Sequence, residues 1–212
     1  MKRIIATLLA GVALLGLVGC GGGSSAGSQS TEPKDYTQIL HDARSEEENE
    51  YNMIFTETDG KYTAQYGGAE DIEPEQLDSS VKEMLLPILG LEPEMYEDFA
   101  ASVSAMMVRS YGVAIVKPAE GKTQEVVDAL QAFVDGQRQA MENYLMDQYE
   151  IAKAAQVKTL PSGEVVLVCC ENSDQVLSNI EKALAACSPR SPEQTVQTHG
   201  LFFCPEICYT SG

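Results

Sequence analysis

The chain has no tryptophan, and aromatic residues make up only 7% of its 212 positions, so it offers no broad stacking platform for sugars or bases. It is also short of positive charge. Fourteen lysines and arginines stand against 32 aspartates and glutamates, a formal net charge of −18. Nucleic acid is therefore not an expected partner, because neutralising phosphates takes clustered Lys and Arg. His41 and His199 are the only two histidines, and neither lies in a local context that marks a Cys–His nucleophile. Gly-x-Ser-x-Gly, His-Glu-x-x-His and phosphate-loop patterns are missing, so no catalytic residue and no cofactor is assigned. There is no internal repeat.

What is present begins at the N-terminus. Lys2 and Arg3 precede an apolar run from Ile4 to Val18, which ends at Leu17-Val18-Gly19-Cys20. A basic end, an apolar stretch short for a span, and a small residue before a cysteine make the layout of a bacterial lipoprotein signal. The alternatives are an ordinary secretory signal and an uncleaved anchor; the cysteine argues against the first and the short run against the second. On this reading residues 1–19 are a signal peptide and the Cys20 thiol carries the lipid. The protein then sits on the extracytoplasmic face of the cell membrane, with the bilayer as its first partner. Residues 20–34 add a Gly- and Ser-rich tether with an end-to-end distance on the order of 20 Å.

Without Lys2 and Arg3 the formal charge becomes −20. The acidity is concentrated between Asp35 and Ala100, where 18 acidic residues face only Arg44, Lys61 and Lys82. Such a half reads as a solvated surface that repels anionic envelope polymers. The run Glu70-Asp71-Ile72-Glu73-Pro74-Glu75 is the best cation candidate, yet it lacks the alternating Asp pattern and distal Glu of a calcium loop. A solvated face or a helix N-terminus is the plainer reading.

Residues 35–187 read as one α+β domain, and residues 188–212 as an irregular tail. Tyr36–Glu48 has helical spacing, with Glu46-Glu47-Glu48 at its unfavourable C-terminal pole. Asp59-Gly60 between two β-like segments signals a hairpin. Pro74 to Leu89 reads as a helix that Pro87 kinks and Gly90 stops, and Pro93–Ala100 as another short helix. Three or four mostly antiparallel strands are expected in one sheet: Ser102–Met107, Tyr111–Val116, Val157–Leu160 and Glu164–Cys170. The stripe Val126, Val127, Leu130, Phe133, Val134, Met141, Tyr144, Leu145 marks a long helix, Thr123–Ala155. Ser173 or Asp174 caps a last helix, Asp174–Ala186, and both long helices are expected to pack on the sheet.

The segment Ser104–Pro118, the helix carrying Leu130, Gln137 and Asn143-Tyr144, and the strand Val165–Val168 together resemble the domain of unknown function 4358 family. The resemblance covers Tyr36 to Leu184. It implies a membrane-anchored extracytoplasmic domain, since the family consists of bacterial lipoproteins, and it implies no activity.

Lipidation of Cys20 leaves five thiols, an odd number, so they cannot all pair within one chain. Cys204 and Cys208 form a candidate disulfide across three residues; the alternatives are two free thiols, or with His199 a partial metal site of unsuitable spacing. No metal is assigned. Cys169-Cys170 falls in a strand, which sends the two side chains to opposite faces as small buried hydrophobes.

The expected role is a non-enzymatic binding or adaptor module, with a protein partner at the cell surface as a candidate. The alternative is a small extracytoplasmic enzyme or metal-dependent domain whose site is assembled from distant residues. A deep polar pocket around Arg109, Gln137 and Arg138 would favour a ligand site or an enzyme. A shallow apolar patch would favour a protein partner. A two-lobed solute receptor needs more chain than this.

Replacing Cys20 with Ser is expected to release the domain or leave uncleaved precursor in the membrane. Intact-mass analysis of membrane-fraction protein checks this, and an unmodified Cys20 there would refute it.

Overall fold

The computed structural model describes residues 34–58, 60–106 and 108–187. The signal peptide, Cys20, nearly all of the tether, and the tail with His199, Cys204 and Cys208 lie outside the described residues. The elements run α1 (Tyr36–Ala43), α2 (Glu46–Tyr51), β1 (Ile54–Thr58), β2 (Lys61–Gln65), α3 (Pro74–Ser79), α4 (Leu86–Leu89), β3 (Tyr96–Val103), β4 (Gly112–Pro118), α5 (Thr123–Met141), α6 (Met146–Ala154), β5 (Gln156–Thr159), β6 (Val165–Cys169) and α7 (Ser173–Cys187). The strands form one sheet of order β2-β1-β3-β4-β6-β5, antiparallel at every pairing. The fold is α+β as expected, with six strands among the described residues rather than three or four; of the expected strand Ser102–Met107, only Ser102 and Val103 are strand, as the end of β3.

Both faces of this sheet are covered, which explains the unbroken apolar runs of its central strands. Along β4, Ala114 and Val116 join the layer of α5, α4 and the turn before it. Val113 and Ile115 join the layer of α1 and α7. β6 divides the same way, with Val165, Leu167 and Cys169 on the first side and Val166, Val168 and Cys170 on the second. The adjacent cysteines thus enter different cores, both buried and both free. The α5 stripe meets the sheet through the buried side chains Val126, Leu130, Phe133 and Val134, each stabilising by about 1.5–3 kcal/mol on burial. At Gly112 a Cβ would stand 2.7 Å from the Phe133 ring, so glycine is what lets α5 approach β4 this closely.

Several expectations are corrected. Pro93–Ala100 is a short 3-10 turn followed by β3, because Tyr96 and Phe99 have a spacing of three that mimics a helix. A bulge between Tyr96 and Asp98 inserts a residue into the strand. It brings both rings into one core, 4.9 Å apart and edge to face.

The expected helix Thr123–Ala155 is two helices. At 1.5 Å per residue the full stretch would be about 50 Å long, far beyond strands of about 17–27 Å. The chain turns after Met141, leaving Tyr144 exposed.

Tyr36–Glu48 is also divided. Ser45 and Glu48 form a reciprocal capping box that starts α2, so the three glutamates occupy the favourable pole of a second helix. Before Pro87 the helix widens into a π turn over Ser80–Leu85, which accommodates a residue that cannot donate to the fourth carbonyl behind it. Gly90 ends that helix at φ +67°. Neither Ser173 nor Asp174 caps α7: Ser173 Oγ donates to the Ala154 carbonyl and Asp174 accepts from Gln156. The Asn172 carbonyl instead receives the Gln175 and Val176 N–H groups.

The first described residues are pinned to the β5–β6 hairpin. Lys34 Nζ and Tyr36 Oη both donate to Glu164 Oε1, at 2.6 and 3.0 Å, and Glu164 is buried. Burial by itself would raise this carboxyl. The hydrogen bonds from Lys34, Ser162, its own backbone and Tyr36 outweigh that effect and hold it below the usual carboxylate range. A depressed folded-state pKa contributes stability above the ordinary carboxylate pKa, and that stability is lost as pH falls through the folded value. Glu164→Gln is therefore expected to cost about 1–3 kcal/mol at neutral pH. The difference from wild type should narrow under acid, which urea unfolding at both pH values would measure; a pH-independent difference would refute the assignment.

Candidate functional site

β4 and β6 run out together at one end of the sheet, where Gly112 pairs with Cys169. The residues just beyond that pair, Tyr111 and Cys170, open onto a pocket of about 500 Å³. The β3–β4 loop brings Arg109 and Ser110 to it, α6 brings Gln148, the α1–α2 junction brings Arg44, and α2 brings Glu48. Four chain segments distant in sequence therefore converge on one cavity, a size typical of small-ligand sites.

Arg44 dominates one wall. It is buried, and its guanidinium is surrounded by neutral acceptors. Nε and Nη2 donate to Asn49 Oδ1 at 3.0 and 2.7 Å, Nη1 to Tyr111 Oη at 2.8 Å, and Nη2 also to the Asn52 carbonyl at 3.3 Å. Arg109 shares two of these partners. Its Nη1 donates to Asn52 Oδ1 at 3.3 Å, and its guanidinium lies 5.0 Å above the centre of the Tyr111 ring. Asn52 and Tyr111 thus hold both cations on one wall.

Neither arginine takes part in any ion pair among the described residues, although the chain carries 32 acidic residues. For Arg44 that is unusual, because buried charges are ordinarily paired; Arg109 is half-buried. Glu48 lines the same pocket, but its Oε2 accepts from the Ser45 backbone N–H and hydroxyl. Glu47 and Glu171 complete an acidic side.

Ser110 adds a second anomaly. Its backbone N–H donates to Gln148 Oε1 at 2.9 Å, while its Oγ, buried against the pocket, has no hydrogen-bond partner. A buried hydroxyl without a partner costs free energy comparable to a lost hydrogen bond.

The Tyr111 hydroxyl and the two cysteine thiols here are held in their neutral forms. Burial pushes the Tyr111 hydroxyl up, only partly offset by the Arg44 charge. Burial, followed by the Glu48 carboxylate, likewise pushes up the Cys170 thiol, and Cys169 behind it is pushed up to about 12. Neither thiol is poised as a thiolate. His41 is not part of the lining; it bonds Asp42 and stacks on Tyr66 with centroids 4.2 Å apart.

Of the three residues around which a pocket was anticipated, only Arg109 lines it. Gln137 is half-buried on α5. Arg138 donates to the Ala152 and Lys153 carbonyls and to Asp135, fastening α5 to the end of α6. The acidic run at Glu70–Glu75 forms a 3-10 turn and the start of α3. Among the described residues no group of three metal-ligating side chains converges, and no helix is long and apolar enough to cross a membrane. Sequence reasoning missed Arg44 and Ser110. Arg44 carried one signal, as one of three basic residues in an otherwise acidic half.

The architecture defines a small α+β domain with an arginine-lined pocket at one end of its central strands. Within it, residues 69–171 match the model of a family described as a domain of unknown function, DUF4358. The match is narrower than the resemblance read from sequence. It takes in Arg109, Ser110, Tyr111, Gln148 and Cys170, and leaves Arg44 and Glu48 outside. Comparison with curated proteins and with solved structures returned no match.

Tyr111→Phe removes one acceptor from Arg44 and leaves the ring beneath Arg109. Hydrogen bonds to charged groups are worth about 1.5–3 kcal/mol, so a loss of that size is expected in urea unfolding. Unchanged stability would show that the hydroxyl does not support the guanidinium.

Proposed function

We propose that this chain is a membrane-anchored extracytoplasmic binding module that holds an anionic group in the Arg44–Arg109 pocket. The observation that carries the reading is the pair of guanidinium groups fixed on one wall without a carboxylate partner. Arg44 has committed Nε, Nη1 and Nη2 to neutral oxygens and acts as a buried positive charge. Arg109, bonded through Nη1, keeps donors of its planar fork for a carboxylate or phosphate, and a partly dehydrated pocket strengthens that attraction. Ser110 Oγ supplies a further neutral donor within the same cavity.

The groups present favour holding over bond-breaking. A serine nucleophile needs an adjacent base, and Ser110 Oγ has no hydrogen-bond partner. The Cys170 thiol is held protonated by burial. Anchoring through Cys20 follows from the Lys2–Cys20 signal pattern, with the tether setting the domain off the bilayer.

The test is thermal unfolding of the full chain in detergent, at constant ionic strength, with succinate, inorganic phosphate or the dication putrescine. Succinate or phosphate is expected to raise Tm by mass action, with about 2.7 kcal/mol of stabilisation at a hundred-fold excess over Kd. Putrescine should have no such effect, and Arg109→Ala should abolish the anion response. An anion response that survives this substitution, or none in the wild type, would refute the reading.

A further inference from the structure

We propose that the occupant of this pocket is the free carboxyl-terminal end of a polypeptide that carries apolar and basic side chains. The proposal rests on the anion-binding reading above and names its ligand class.

The supporting observation is a set of exposed apolar residues on the segments that build the pocket wall, none of them in the lining itself. Tyr51, Met106, Val108, Tyr144 and Met146 are the large hydrophobics exposed among the described residues, and they sit on three short segments that the pocket draws together. Tyr51 precedes Asn52, whose side chain accepts from Arg109. Met106 and Val108 lie on the loop that delivers Arg109 and Ser110. Tyr144 and Met146 precede Gln148, which accepts from the Ser110 backbone. These two hydrogen bonds tie the segments to one another at the pocket wall. Apolar side chains exposed singly need no explanation, but all five lie within four positions of Asn52, Arg109 or Gln148, and such a grouping along the segments of one wall suits an interaction surface.

The mosaic around them selects the partner. The same segments expose Glu46, Glu47 and Glu50 beside Tyr51, and Glu142, Asp147 and Glu150 beside Tyr144 and Met146. An acyl chain would bury those carboxylates against hydrocarbon, and an anionic lipid surface would be repelled by them. A polypeptide alternates apolar with polar groups and can set lysine or arginine against each carboxylate, which gives charge complementarity across the rim. The two arginines call for a group of negative charge on their wall, while Glu47, Glu48 and Glu171 on the rest of the lining suit a basic side chain of the same ligand. A chain terminus supplies one carboxylate without requiring backbone to continue past the cavity. Terminal carboxylate capture by fixed donors is a known way of reading chain ends.

The experiment uses the full chain in detergent and fluorescence anisotropy with a short fluorescein-labelled peptide of alternating leucine and lysine. The peptide is made with a free carboxyl terminus and as its terminal amide. The acid form is expected to bind at least about ten-fold more tightly than the amide, a difference of about 1.4 kcal/mol. Arg109→Ala should erase that preference. Val108→Asp and Met146→Glu, both at exposed positions, should weaken the two forms alike. Equal binding of acid and amide would overturn the proposal, as would a preference that persists in Arg109→Ala. Stronger binding of soluble dihexanoyl-phosphatidylglycerol than of the acid peptide would point to a lipid surface and overturn it too. If succinate still stabilises the protein while neither peptide binds, the anion pocket stands and the polypeptide assignment falls. If neither succinate nor peptide binds, both fall.

Discussion

The antiparallel pairing of β4 with β6, buried on both faces, is the constraint on which the rest of the molecule depends. Five consecutive residues of β4, Gly112 to Val116, face five of β6 in register, and every one of them is buried. Strands of this kind have no solvent side, so each face demands its own layer of helices. One layer is supplied by α5 with the α3–α4 region, the other by α1 and α7. The close approach of Phe133 to Gly112 sets how near α5 can lie. That contact is also where the strand pair ends and the pocket begins.

The pocket inherits its shape from that ending. Past Gly112 and Cys169 the two strands no longer pair, and the space between α2, α6 and the start of α7 stays open. The buried Arg44 fills one side by spending its donors on neutral oxygens from Asn49, Asn52 and Tyr111. Such an arrangement satisfies geometry without cancelling charge. Nearby Glu48 is committed to the capping box of α2, so one local requirement, starting a short helix, leaves another group's charge unbalanced. Local frustration of this sort is characteristic of sites rather than of cores.

Much of the fold was legible in the chain because strand and helix periodicities are strong where burial is one-sided or complete. The hairpin signalled by Asp59-Gly60, the interior strand Val165–Cys169, the stop at Gly90 and the stripe from Val126 to Val134 all take the form their residues suggest. The misreadings are local patterns overruled by strand pairing, by length, or by hydrogen bonds that side chains find elsewhere. Tyr96 and Phe99 look helical until a bulge makes them neighbours on a strand. Tyr144 and Leu145 extend an apolar stripe in the sequence, yet α5 has already ended at Met141 and Tyr144 stands exposed. Glu46-Glu47-Glu48 looked like the frayed end of one helix and is the capped start of the next.

The site was far less legible. From sequence, Arg109 is singled out only with Gln137 and Arg138 as a place for a polar pocket, and Arg44 lies 65 positions before it with nothing local to link the two. Composition and periodicity by themselves determined the α+β class, the two-faced burial of the central strands and the opposite facing of Cys169 and Cys170, because these follow from patterns of neighbouring residues. The tertiary structure alone decided which polar groups meet. Asn49, Asn52, Tyr111 and two arginines become one wall only when the end of α1, the start of β4 and the loop before it close on one another. No interaction between adjacent residues carries that information.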